Sequence, residues 1–193
     1  MNPHNLIHQL FLTALLLTST PLLAGEAHVH GQAQLEIVVE GDLLSIRFES
    51  PLDNLLSFER APRNERERQA VRRMATQLRD GAALLQPSPA AECLLLDTRL
   101  DAPVLGSELL SPPVKGTPGE VAQPAVKQTH ANDEHAELSA TWRFRCARPA
   151  ELQDLTLNLF KTFKGLHRID AVAIGKKGQR ATRLTARQPQ IRW

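Results

Sequence analysis

The sequence predicts an α+β fold: an antiparallel β-sheet with one longer helix, a long mobile loop and a disulfide. Three observations carry this. Apolar and polar residues alternate along Val29 to Glu40 and strictly from Ala136 to Cys146, the period of a half-buried strand. A capped run at helical spacing occupies 65–80. Two cysteines, Cys93 and Cys146, bracket a proline-rich stretch at 103–132.

The chain has 193 residues, of which 42% are hydrophobic, enough to bury one core. Its formal charge of +2 gives no ground for a nucleic-acid partner. The apolar stretch at 6–17, the breaker Pro21 and the small residues Ala24 and Gly25 have the form of a cleaved signal peptide over 1–24. A retained hydrophobic helix is the alternative. A single domain over 25–193 with no membrane span follows, destined for the periplasm.

In the first strand Val29, Gly31, Ala33, Leu35, Ile37 and Val39 take one face, and His30, Gln32, Gln34 and Glu36 the other. Gly41-Asp42 is a two-residue hairpin loop. It sets Val39 against Leu44, Ile37 against Ile46 and Leu35 against Phe48 on the inner face, with Glu36 opposite Arg47 outside. The second strand ends at Pro51, and "LDNLLSFERAP" is a short helical turn with a loop.

Asn64, with Glu67 three residues on, is a capping signature. Ala70, Val71, Met74, Ala75 and Leu78 follow at helical spacing, and Gly81 stops the helix. Its arginines, Arg66, Arg68, Arg72, Arg73 and Arg79, form a solvated face. A third strand lies in "AECLLLDTRL". The prolines and glycines of 103–132 then predict a mobile loop without elements of its own, so removing Gly106 to Val126 is expected to leave the fold intact. The segment "LTLNLFKTFKGLHRIDAVAIGKKGQRATRLTA" supplies a strand, a short helix and a hairpin.

An even cysteine count in an exported chain is most simply a disulfide between Cys93 and Cys146; two buried thiols are the alternative. The pattern puts His28 and His30 on the polar face of the first strand and His135 on that of the later one, with His130 in the loop. Imidazoles at i, i+2 on a strand point the same way about 6–7 Å apart and can reach one ion. Zn2+ takes about four N, S or O ligands. His167, alone after Gly165, reads as a surface or loop residue and is left out of the site.

Several blocks occur together in order: "AHVHGQAQLEIVVEGDLLSIRFESPLDNLLSFERAP", the proline-rich loop, "EHAELSATWRFRC", "LNLFKTFKGLHRIDAVAIGKKGQ" and "RLTARQPQIRW". Over nearly all of the chain from His28 to Trp193 they resemble the ZrgA family of periplasmic zinc-uptake accessory proteins. The resemblance implies Zn2+ binding through histidines and zinc acquisition alongside an ABC-type zinc importer. Carried onto this sequence, it points to His28, His30 and His135, with His130 as the remnant of the family's His-rich loop. Relatives carry runs of His alternating with Asp or Glu there, whereas 103–135 holds only His130 and His135. A high-capacity zinc store is therefore not expected. Lys164 stands where relatives tend to have proline.

No nucleophile with base and orienter, no phosphate loop and no HExxH motif is present, so no enzyme activity is expected. Two other classes stay open. One is an envelope protein-interaction module whose histidines are incidental. The other is a copper-binding protein, since cleavage after Gly25 would leave Glu26-Ala27-His28 at the N-terminus, a donor set suited to Cu2+.

Overall fold

Gly41, at φ +62°, and Asp42 turn the chain between β1 (Gln32–Glu40) and β2 (Leu43–Pro51). The hairpin has the register that the sequence predicts, with Leu35 opposite Phe48, Ile37 opposite Ile46, Val39 opposite Leu44 and Glu36 opposite Arg47. Leu35, Ile37, Leu44, Ile46 and Phe48 are buried. The computed structural model to which these positions belong describes residues 29–112, 136–176 and 178–193. The predicted signal peptide, His28, His130 and His135 lie outside the described residues.

Beside β2 runs β5 (Glu137–Cys146), and outside it β4 (Cys93–Asp101), both antiparallel. On the far side of β1 lies β7 (Arg168–Gly175), which pairs with β8 (Gly178–Leu184). The order is β4-β5-β2-β1-β7-β8. The fold is thus α+β and mostly antiparallel, with one departure: β1 and β7 run parallel. A second antiparallel sheet was not expected from the sequence. It joins β3 (Leu85–Pro87), β6 (Asp154–Leu157) and β9 (Gln190–Arg192).

Helix α1 (Asp53–Leu56) follows β2 directly, and α2 (Glu65–Arg79) is the longer helix. Asn64 Oδ1 caps α2 by accepting the Glu67 N–H at 2.9 Å. The Glu67 carboxylate accepts from the Arg63 N–H and from both terminal nitrogens, Nη1 and Nη2, of the Arg60 guanidinium. The Arg60 hydrogen bonds, and then the Arg63 amide, lower its pKa to about 2. The contribution of this pair is therefore whole above the ordinary glutamate pKa and fades as pH falls toward about 2.

Val71, Met74, Ala75 and Leu78 are the buried stripe of α2. Burying Val71, Met74 and Leu78 contributes about 1.5–3 kcal/mol each, whereas an exposed pair such as Glu65–Arg68 is screened by solvent and contributes little. Packing, not surface charge, fixes this helix. Helix α3 (Gly81–Leu84) continues the chain after a break at Asp80. Among the described residues no helix is long and apolar enough to cross a membrane.

The structured chain extends further past β4 than the sequence predicts. Pro103–Leu105 form a 3-10 turn and Ser107–Leu110 the short helix α4, with Leu105, Leu109 and Leu110 buried. Arg79, expected on the solvated face, instead donates to the Leu110 carbonyl. Pro103 opens the 3-10 turn and Gly106 caps both short elements, so neither starts a structureless loop. Removing Gly106 to Val126 would take two buried leucines with it, so that deletion is no longer expected to be tolerated. The remainder, 113–132, lies outside the described residues. Helix α5 (Leu159–Thr162) completes the elements.

Cys93 and Cys146 are register partners on β4 and β5 and form the disulfide, with an S–S distance of 2.04 Å. It closes a sequence separation of 53 residues, which on the chain-entropy model restricts the unfolded chain by about 4 kcal/mol. Alkylation of the denatured, unreduced protein is expected to label neither cysteine. Quantitative labelling of both would contradict the crosslink in the native protein.

Candidate metal centre

The residues around His30 are shaped by a turn. Gln32 N–H donates to the Val29 carbonyl at 3.0 Å, and Gly31, third of the four residues, has φ +81°. That is the arrangement of a type II turn, which needs a positive φ at its third position and so favours glycine there. Strand β1 accordingly begins at Gln32. This corrects the expectation for His30, which stands in the turn before the strand and not on its polar face. The argument from parallel imidazoles at i, i+2 does not apply to it.

Three contacts hold the turn. Asn54, buried on α1, accepts the Gly31 N–H through Oδ1 at 2.6 Å and donates through Nδ2 to the Gln32 carbonyl at 2.8 Å and to Ser50 Oγ at 3.1 Å. Asp53, one residue earlier, accepts from His30 Nδ1 through Oδ2 at 3.0 Å. From the other side, the His167 and Arg168 amides both donate to the Gly31 carbonyl, at 2.8 and 2.9 Å. A Cβ on Gly31 would come 2.5 Å from His167 Cδ2. His167 is exposed, as the sequence predicts, but it lies against the turn that carries His30.

The start of β5 comes to the same place. Leu52 N–H donates to the Ala136 carbonyl at 2.9 Å, and Glu137 pairs with Pro51. Val29, Gln32, Glu49, Glu137, Arg168 and Asp170 border one hollow of about 700 Å³ on the open face of the sheet. Leu52 thus binds the residue that follows His135 in sequence, and Asp53 binds His30. Among the described residues no three His, Cys, Asp or Glu side chains stand together as a metal-ligand group.

Asp53 and Asn54 were missed in the sequence because "LDNLL" looks like an ordinary turn with a helix start. The available signal was Gly31. A glycine inside an alternating run marks a bulge, a turn or a close backbone approach, and here it is both of the last two.

No curated protein matches the chain. A family model described as ZrgA family zinc uptake protein matches residues 27–193, which takes in both sheets, α2, the disulfide and the His30 turn. The chain therefore belongs to the ZrgA family of zinc uptake proteins.

Proposed function

We propose that this is an exported periplasmic protein that binds Zn2+ through His28, His30 and His135, with His130 within the same site, and assists zinc acquisition together with an ABC-type importer. One observation carries this reading. Two consecutive residues, Leu52 and Asp53, bind Ala136 and His30 respectively, so the residue that follows His135 in sequence and the turn that follows His28 are held at a single point of the fold. Imidazoles from two segments suit the tetrahedral preference of Zn2+. Family membership supports zinc as the metal. The role is one of binding and not of catalysis, because an ion surrounded by four imidazoles keeps no open position for a reacting water.

Isothermal titration of the mature protein with Zn2+ tests the site, with Cu2+ as the competing ion. Each of His28→Ala, His30→Ala and His135→Ala is expected to weaken zinc binding at least about tenfold, and the affinity is expected to fall from pH 7 to pH 5 as protons compete for the imidazoles. The His28→Ala/His30→Ala pair is expected to impair growth only when zinc is scarce. Equal zinc affinity in the wild type and that double variant would refute the site. Tighter binding of Cu2+ with no measurable Zn2+ binding would replace the metal.

A further inference from the structure

We propose that Asp53 is the positioning residue for His30, accepting a hydrogen bond from Nδ1–H so that Nε2 is the nitrogen presented to the metal. The proposal rests on the reading of His30 as a zinc ligand. His30 Nδ1 stands 3.0 Å from Asp53 Oδ2. An ionised carboxylate can only accept, so the imidazole must be the donor and its proton sits on Nδ1. In a neutral ring the lone pair is then on Nε2. The His30 side chain is 69% exposed, which leaves that edge of the ring open to an ion.

The carboxylate is also held in place to do this. Asp53 is the first residue of α1, and its carboxylate is turned to His30 Nδ1. Its backbone is fixed on either side, by the Leu52 N–H to the Ala136 carbonyl and by the three hydrogen bonds of Asn54. The Asp53 carbonyl accepts the Ser57 N–H at 2.9 Å. Residues 53 and 54 therefore grip residues 30 and 31 at two points, one through the imidazole and one through the backbone amide. The competing explanation is an incidental surface pair, which contributes little to stability and nothing to metal affinity. A carboxylate on the far nitrogen of a ligating histidine instead fixes its tautomer and raises its basicity, and losing such a partner typically costs 10–100-fold in affinity.

Two measurements decide between them. In the metal-free protein, long-range 1H–15N correlation spectra are expected to show His30 as the Nδ1–H tautomer, and Asp53→Ala is expected to return it toward the Nε2–H form that free imidazole side chains prefer. In zinc titrations, Asp53→Ala is expected to weaken binding about 10–100-fold with an unchanged circular dichroism spectrum. Asp53→Asn, whose amide oxygen can still accept from Nδ1, is expected to recover part of that loss. An Nε2–H tautomer in the wild type would overturn the proposal. So would Asp53→Ala binding zinc as the wild type does while His30→Ala binds it weakly, an outcome that leaves the zinc site itself standing. If His30→Ala has no effect on zinc binding, the zinc-site reading falls and the positioning role with it.

Discussion

Asn54→Ala is expected to lower stability by about 2–5 kcal/mol and to weaken zinc binding at the same time. Asn54 is 3% exposed, and its amide is the shared partner of the Gly31 N–H, the Gln32 carbonyl and Ser50 Oγ. Alanine removes that partner and leaves backbone groups of the turn unpaired, at about 1–3 kcal/mol each. Gly165 packs against the backbone of the same residue, where a Cβ would meet the Asn54 carbonyl at 2.5 Å. For a domain of this size the loss corresponds to a fall of roughly 5–15 °C in Tm. Asn54→Asp keeps the shape but turns an acceptor toward the Gln32 carbonyl, so it is expected to destabilise at least as much. Thermal unfolding followed by circular dichroism measures both, and a change below about 1 kcal/mol for Asn54→Ala would show that the turn is held elsewhere.

Trp142→Ala is expected to cost about 3–5 kcal/mol, a large part of the 5–15 kcal/mol by which domains are usually stable. Trp142 is fully buried on β5, with its ring centroid 6.3 Å from that of Phe48. Its indole Nε1 donates to the Leu78 carbonyl at 2.7 Å. That carbonyl lies in the last turn of α2, where no intrahelical donor exists. The carbonyls of Thr76 and Gln77 are taken by the Asp80 amide, the tryptophan takes that of Leu78, and Thr98 Oγ1 donates to that of Arg79. Trp142→Phe, which preserves much of the volume but not the donor, is expected to lose about 1–3 kcal/mol. Urea unfolding separates the two variants. Equal stability of wild type and Trp142→Phe would show that the bond contributes nothing net.

The hairpin of β1 and β2 and the strand β5 were legible because each has one buried face, so a period of two fixes both the element and its register. Helix α2 was legible for the same reason at a period of 3.6, with Asn64 marking its start. The second sheet was not. Its strands β3 and β9 have three residues each, too few for any period to show. The parallel pairing of β1 with β7 joins strands from opposite ends of the chain, and no local pattern specifies such a partner. At Pro103–Leu110 a proline and a glycine stand among three leucines, Leu105, Leu109 and Leu110, whose burial depends on the folded core and not on any local period. For the candidate site, histidine as a residue type was legible, whereas the polar grip of Asp53 and Asn54 on His30 and Gly31 exists only once the chain is folded.

The parallel ladder has a consequence for the order in which the protein becomes competent to bind. Strand β1 lies between β2, its neighbour in sequence, and β7, which is made near the end of the chain. The hairpin can form early from local contacts, but the β7 side must wait for a distant loop to close, the slow kind of step in folding. The amides of His167 and Arg168 that fasten the Gly31 carbonyl belong to that late side. The His30 turn is therefore complete only when β7 is paired, and a chain truncated before β7 carries the histidine without its mounting. On the role proposed for His30, metal binding requires that paired β7 and not only the N-terminal strand.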